Sequence, residues 1–493
     1  MAITAGGNLN SVPAPQQQVL SSNYLDLSST SGWGQQYVPD LMEKEAEVFG
    51  NRTISGFLAQ VGAEESMTAD QVIWSEQSRL HISLKGTIAQ TGDTNGTFTV
   101  TSDIDGNLLA DGFGTSAVGD DHGVRNHDIV LLSTPGAVVR AMVKTVTDNS
   151  NEISLMAYDA VDLSALATTA GGCTLLVIGS EFKKGDTYDS QTASQRGSNE
   201  ASFKSFSNKP IIMKDNYVVS GSDASRIGWV EVAAEDGQSG YLWYLKAEAD
   251  TRARFTDYLE MTMLEAVRGS GANVVDTELG ASANNVGTEG LFAAIEDRGN
   301  ITSGVTGVNA ATDLAEFDAI LAEFDKQGAI EENMMFVNRS TSLAIDDMLA
   351  SMNSYGAGGT SYGVFENDED MALNLGFSGF RRGSYDFYKS DFRYLNDLAT
   401  RGGINATAGS EAIRGVIIPA GTSTVYDQQL GKNLKRPFLH VRYRASQTDN
   451  RKFKTWTTGS VGATTSALDA MEIHMLSERC LVVQGANNFM LMK

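Results

Sequence analysis

The chain has 493 residues, of which 41% are hydrophobic and 20% charged, with a formal net charge of -24. That length exceeds a single core and points to about two to four domains, while the composition excludes a disordered chain. The negative charge excludes a surface that grips nucleic acid throughout, because phosphate binding needs clustered Lys and Arg.

Fifty glycines against seven prolines suggest many turns without rigid linkers. The two cysteines, Cys173 and Cys480, each lie in an apolar run, which reads as buried inert thiols rather than a disulfide framework. The N-terminus MAITAGGNLNSV lacks the basic start and apolar core of a signal peptide. There is no run of about 18 apolar residues, so no membrane span is expected.

Residues 1–40 are polar and too poor in apolar groups to fold alone, so they read as an arm laid across another surface or as a disordered tail. LMEKEAEVFG is a short predicted helix ending at Gly50, and ISGFLAQV follows as an apolar segment. Residues 66–86 begin extended.

A separate β module is predicted at 87–182. Turn signals at Asn95-Gly96, Asp105-Gly106, Pro135-Gly136 and 148–151 separate the strand-like runs TFTV, DIVLL, AVVRAMVKTV, EISLMAY and CTLLVIG. Four or five short strands at this spacing predict a small barrel or sandwich, with a hairpin at Pro135-Gly136. The chain then returns along an extended, Gly- and Ser-rich path whose IIMKDNYVVSG has strand character.

Ser239–Gly269 is the longest predicted helix, with no proline or glycine between Tyr241 and Arg268. Ser239 is its predicted N-cap and Gly269 its stop. Leu245, Ala249, Ala253, Thr256, Leu259, Met263 and Val267 form its predicted apolar stripe. Glu248/Arg252 and Asp250/Arg254 sit four apart, a spacing that pairs charges on a helix surface.

GTEGLFAAIEDRGN (287–300) predicts a short helix. TDLAEFDAILAEFDKQG (312–328) predicts an amphipathic one, with Thr312 as N-cap, Gly328 as C-cap, and Leu314, Phe317, Leu321 and Phe324 on its apolar face. NMMFVN reads as a strand and STSLAIDDMLASM as a helix. From 413 the chain is strand-rich: IRGVIIPAG, STVYD, FLHVRYRAS, AMEIHML and CLVVQG.

No catalytic constellation emerges. None of the five histidines, His81, His122, His127, His440 and His474, sits in a nucleophile-elbow turn or an H-E-x-x-H helix. His122 and His127 beside Asp120 and Asp121 match no standard ligand spacing and read as a polar turn. Asp103-x-Asp105-Gly106-Asn107 opens like a calcium loop, but Leu108 stands where the glycine belongs and Gly114 where the bidentate Glu belongs, so it too reads as a turn. FENDED at 365–370 reads as a solvated loop. No enzyme activity, cofactor or metal is expected.

Charge is distributed unevenly. Lys432, Lys435, Arg436, Arg442, Arg444, Arg451, Lys452 and Lys454 fall in one span whose only acid is Asp449. Arg381, Arg382, Lys389 and Arg393 form a second basic group. On so acidic a chain these groups suit an acidic surface of an identical neighbour better than DNA. Arg442, Arg444, Arg451, Lys452, Lys454, Arg381 and Arg382 are therefore the candidate inter-subunit contacts.

The order of parts resembles the major capsid protein of tailed bacteriophages, whose shell fold is shared with encapsulins and herpesvirus capsid floors. That order is an arm, an extended excursion with an inserted β module, a long helix, and a mixed α/β remainder. NYVVSG (216–221), GTEGLFAAI, DLAEFDAILAEFDKQG and ENMMFVNRSTSLAIDDML resemble stretches of phage capsid proteins. RPFLHVRYRASQTDNRKFKTW, ALDAMEIHMLSE and GANNF look most like those of crAss-like and related short-tailed phages.

The resemblance implies an α+β fold with an N-terminal arm at 1–65 and an extension loop at 66–238 that carries the small β-barrel at about 87–182. A peripheral domain with the spine helix follows at 239–304, then an axial domain at 305–425, and strands at 426–493 returning to both. It further implies self-assembly into hexamers and pentamers of an icosahedral head enclosing double-stranded DNA, with portal and auxiliary or decoration proteins as partners. The protein would be in the virion after assembly in the host bacterial cytoplasm, with no membrane involved. An encapsulin-like compartment shell is the alternative within the fold. A secreted β-rich hydrolase is the alternative outside it, disfavoured by the missing signal peptide and catalytic set.

Overall fold

The computed structural model describes residues 63–77, 79–90, 95–106, 122–146, 151–158, 163–167, 172–185, 203–222, 231–233, 239–269, 274–279, 286–328, 330–353, 379–420, 422–427, 432–461 and 465–493. The expected arm, the helix ending at Gly50 and the loop 365–370 lie outside them. The chain divides into two compact units, Met1–Trp74 with Ser207–Lys493, and Ser75–Phe206.

In chain order, β1 (Ala63–Met67) and β2 (Val72–Gln77) precede six strands: β3 (Ser83–Gln90), β4 (Asn95–Asp103), β5 (Asp128–Thr134), β6 (Ala137–Val146), β7 (Glu152–Ala157) and β8 (Cys173–Ser180). A single-turn helix, α1 (Ser164–Ala167), lies between β7 and β8. These six strands close into a barrel in the order β3-β4-β7-β6-β5-β8. All five predicted runs are strands, the Pro135-Gly136 hairpin joins β5 to β6, and the sixth strand, β3, comes from a stretch expected only to be extended.

Strict alternation fills the barrel. Phe98, Val100, Val130, Leu132, Val139, Ala141, Val143, Ile153, Leu155 and Leu175 point inward, with Leu163 and Leu166 of α1 in the same cluster. Gly86 is required by this packing: a Cβ there would fall 2.2 Å from the Thr99 carbonyl oxygen and 2.6 Å from the Phe98 ring.

β9 (Phe203–Asn208) pairs with β2, both strands spanning the division, and the other unit continues with β10 (Ile211–Ser220). β11 (Glu231–Ala233) and β12 (Ser239–Tyr241) form a two-stranded ladder leading into α2 (Leu242–Glu265). Ser239 is thus a strand residue and does not cap the helix, which begins three residues later because Ser239–Tyr241 are paired with β11. Gly269 does not take the left-handed conformation either; its amide donates to the Val286 carbonyl, so a neighbouring loop ends the helix.

At about 1.5 Å per residue α2 is roughly 36 Å long. Its buried face carries Thr251, Phe255, Leu259, Met263 and Leu264. That face is rotated from the predicted stripe: Ala249 and Val267 are exposed, and Phe255 supplies the anchor. Glu248 pairs with Arg252 at 3.8 Å, whereas Arg254 reaches Asp215 on β10 at 3.3 Å.

Three elements follow: α3 (Val274–Glu278), α4 (Leu291–Arg298) and β13 (Asn300–Thr302). α5 (Ala310–Gln327) is capped by Asn309, whose Oδ1 accepts from the Thr312 amide at 3.0 Å, one turn before the predicted cap. Gly328 ends it at φ 67, as expected. β14 (Glu332–Val337), α6 (Arg339–Asn353), β15 (Gly379–Arg382), β16 (Tyr385–Asp391), the short α7 (Arg401–Asn405), β17 (Gly415–Pro419), β18 (Thr422–Asp427) and β19 (Lys432–Pro437) come next. The chain continues with β20 (Leu439–Arg444), β21 (Lys454–Gly459), β22 (Ala470–Val483) and β23 (Met490–Met492). AMEIHML and CLVVQG, read as two strands, belong to the single fourteen-residue β22.

A six-stranded mixed sheet has the order β13-β23-β17-β14-β16-β15. The two-residue period sends Met335, Val337, Ile417, Met490 and Met492 to a core with Phe317, Ile320 and Phe324 of α5 and Ile345, Met348 and Leu349 of α6. Their neighbours Phe336, Val416, Ile418 and Leu491 enter a second core with α4, the end of α2, and Leu439, Val441, Leu481 and Val483. The latter four belong to a second sheet, β1-β20-β22-β10, with β21 also on β22. α2 packs on that sheet through Phe255 and Leu259 against Ile473 and Met475.

Candidate functional site

The candidate basic residues gather on the β1-β20-β22 sheet, and register explains how. β1 runs parallel to β20 with Glu65 opposite Arg442 and Met67 opposite Arg444. β22 runs antiparallel on the other side, with Cys480 opposite Arg442 and Arg479 opposite Tyr443. Alternation therefore places Glu65 and Arg442 in one cross-strand row, and their side chains meet at 2.7 Å.

Arg444 pairs with Asp70 and lies 3.2 Å from Glu478, which Arg451 also approaches at 2.7 Å. The Glu478 side chain is nearly buried, so the two guanidinium groups stabilise a carboxylate that would otherwise be costly to desolvate. Lys452 pairs with Glu64 and lies over the Tyr443 ring, 5.4 Å from its centroid. Lys454 reaches Asp449 at 2.7 Å.

Below this layer Arg479 is buried. Its Nε donates to Ser477 Oγ at 2.9 Å and its Nη2 to the Lys452 carbonyl at 2.9 Å. Burial pulls the Arg479 guanidinium down from its ordinary value, against the raising influence of Glu64 and Glu260. Ser477 Oγ in turn donates to the same Lys452 carbonyl at 2.6 Å.

The second basic group is separate from the first. Arg382 makes a two-pronged contact with Asp318 of α5 at 2.5 and 2.7 Å, and Arg381 lies 3.6 Å from Asp386. Lys389 is buried against Asp346 at 2.5 Å, and Arg393 meets Asp397 at 3.4 Å. All seven candidate contact residues thus have an acidic partner in their own chain. The side chains of Lys432, Lys435 and Arg436 lie outside the described residues. Asp449 and Asp386 are local partners, but the other acids come from β1, the turn after it, β22 or α5, which a linear count of charge does not bring together.

A buried polar hub escaped the sequence reading. Asn208, fully buried, donates to the Glu289 and Leu481 carbonyls at 3.0 and 2.6 Å. Its Oδ1 accepts from the Glu289 and Lys209 amides and from Thr288 Oγ1. One side chain thereby ties the β9–β10 junction to the loop before α4 and to β22. Nearby, Glu289 meets Arg298 at 2.8 Å, and burial raises its carboxyl above the usual range, with Arg298 opposing. Glu265, the last residue of α2, accepts from Tyr394 Oη at 2.9 Å and Arg401 Nη1 at 2.8 Å. No local sequence signal marks Asn208 or Glu265.

The remaining candidates behave as structure. His122 Nδ1 accepts from the Val124 amide at 3.1 Å, and His127, at φ 67, lies against Phe182. Asp120 and Asp121 lie outside the described residues. Asp105 is gripped by Arg79 at 2.8 and 2.9 Å, and Gly106 turns the chain at φ 92. Asn107 onward in that loop is outside the described residues. Cys173 and Cys480 are buried, and burial pushes the Cys480 thiol up to about 12. Among the described residues no three His, Cys, Asp or Glu side chains converge as a metal cage, and no helix is long and apolar enough to cross a membrane.

No protein-family profile matches the chain, and no curated protein matches it. Among solved structures it is similar to a chain of one titled Microbacterium phage Oxtober96, at 9% identity and TM-score 0.39, over 95% of this chain and 99% of that one. A structure titled Mycobacterium phage Ogopogo gives 10% identity and TM-score 0.37, over 93% and 95%. One titled Cyanophage Pam1 capsid asymmetric unit gives 13% identity and TM-score 0.33, over 64% and 81%.

Proposed function

We propose that this chain is a tailed-phage major capsid protein that assembles into hexamers and pentamers of an icosahedral head around double-stranded DNA. The observation that carries the reading is the order of its elements. A closed barrel is inserted between extended strands, a long helix follows, and that helix packs on a sheet formed by β10 with strands from the C-terminal fifty-odd residues. The same order is what the sequence resemblance to capsid proteins implies. The net charge of -24 also suits a wall that must not adhere to a packaged polyanion.

On this reading residues 66–238 correspond to the extension loop, 239–304 to the peripheral domain, and 305–425 to the axial domain. Portal and auxiliary capsid proteins would be the partners. Arg442, Arg444, Arg451, Lys452, Lys454, Arg381 and Arg382 brace their own subunit and present an already neutralised surface to a neighbour, so contacts between copies rest on many weak interactions acting together.

Negative-stain imaging and sedimentation of the purified protein test this. Closed shells of uniform diameter are expected. A chain that stays monomeric at high concentration, with and without co-expressed phage assembly proteins, refutes it.

A further inference from the structure

β1 differs from β20 and β22, the two inner strands of its sheet, in what holds it. Of its described side chains only Met67 is buried, whereas β20 and β22 are anchored by Leu439, Val441, Leu481 and Val483 in the central core. The attachment of β1 is otherwise a parallel backbone ladder and three ion pairs.

All three pairs have the same polarity. Glu64, Glu65 and Asp70 lie on the strand or just beyond it, and Lys452, Arg442 and Arg444 lie on its seat. Each pair reaches solvent: the side chains of Lys452 and Glu64 are 43% and 37% exposed, and that of Asp70 is 93% exposed. Pairs of this kind are weakened by added salt, whereas an aliphatic core is not.

We propose that residues 63–70 form an electrostatically latched strap. β1 lifts from β20 as a unit when the ion pairs are screened, while β20, β22, β21 and β10 stay folded. The seat is built to survive release. Arg444 and Arg451 keep Glu478, Arg479 keeps Ser477 and the Lys452 carbonyl, and Lys452 keeps the Tyr443 ring. A vacated seat is therefore a preformed strand edge lined with Arg442, Arg444 and Lys452, ready to take the same acidic segment back.

Hydrogen exchange followed by mass spectrometry on the full chain tests this at about 50 and about 500 mM NaCl, a range that shortens the screening length severalfold. Amides of 63–67 should exchange about tenfold faster at high salt, as expected for three partly exposed pairs. Peptides reporting the β22–β10 pairing should not change. Lys452→Gln should raise the low-salt rate and flatten the salt response, and Glu64→Lys with Lys452→Glu should restore both. Salt-independent exchange at 63–67 overturns the proposal, and so does equal acceleration across β22 and β10. A swapped pair that fails to restore the response in a chain with normal β22 protection also overturns it.

Discussion

Replacing Asn208 with alanine should destabilise the larger unit by about 3–5 kcal/mol. The side chain is fully buried and makes five hydrogen bonds, two as donor and three as acceptor. A net hydrogen bond contributes about 1 kcal/mol, and each buried partner left unsatisfied costs about 1–3 kcal/mol. The carbonyls of Leu481 and Glu289 and the hydroxyl of Thr288 all lose this partner, and a small cavity admits at most partial replacement by water. Asn208→Asp should be no better, because a carboxylate cannot donate to the two carbonyls it would face. With two compact units a single unfolding curve is ambiguous, so the assay is hydrogen exchange under increasing urea, read in peptides of β22 and α4. Protection there should fall by about two to four orders of magnitude, at about 1.4 kcal/mol per tenfold, while barrel peptides keep theirs. Asn216→Ala, on the exposed side of β10, should change little. A loss below about 1 kcal/mol for Asn208→Ala would refute the claim that this residue organises the junction.

Gly86→Ala should lower the melting temperature of the barrel, since the added methyl collides with the Thr99 carbonyl and the Phe98 ring; a differential scanning trace should show one transition move and the other stay. Phe255→Ala should cost about 3–5 kcal/mol in the larger unit, measured by the same urea-dependent exchange, whereas Val267→Ala on the predicted but exposed stripe should cost nearly nothing. Burial holds the Asp128 carboxyl above its ordinary range, against the Arg125 amide and guanidinium. The folded barrel therefore retains this proton more tightly than the unfolded chain, so the contribution of Asp128 to stability is fully present below the ordinary carboxylate value near about 3.9 and is lost as pH rises through the elevated value. Asp128→Asn should remove that slope in thermal melts taken at successive pH values. Neither Cys480, pushed up to about 12, nor buried Cys173 should react with a thiol reagent at neutral pH until denaturant is added.

The elements that were legible in the sequence are those set by short-range physics. Turn dipeptides and alternation located the barrel strands because their inward residues are apolar and their neighbours are not. Gly328 was readable as a helix stop because its left-handed conformation is local. The misses share a cause in the opposite direction. The middle of β22, Ser477-Glu478-Arg479, looks like a break between two strands, yet it stays extended because β10, Arg451 and Lys452 satisfy its polar groups. The exposed and buried sides of α2 were confused because alanine and threonine suit either, and the sheet beneath chose Phe255. Most acids that pair within the chain with the basic span come from β1 and the turn after it, nearly four hundred residues earlier, and from β22, so no local pattern shows those pairs.

The position of β23 has a kinetic consequence. Residues 490–492 lie between β13 and β17, parallel to the former and antiparallel to the latter. A ribosome-bound chain that has already released α5, α6 and β14 still lacks the plank that bridges 300–302 to 415–417. Until that plank arrives, methionine- and phenylalanine-rich faces on both sides of the layer are open to the cell. Nascent chains stalled before residue 490 should therefore recruit holding chaperones, and the full sequence held clear of the ribosome by an appended linker should shed them.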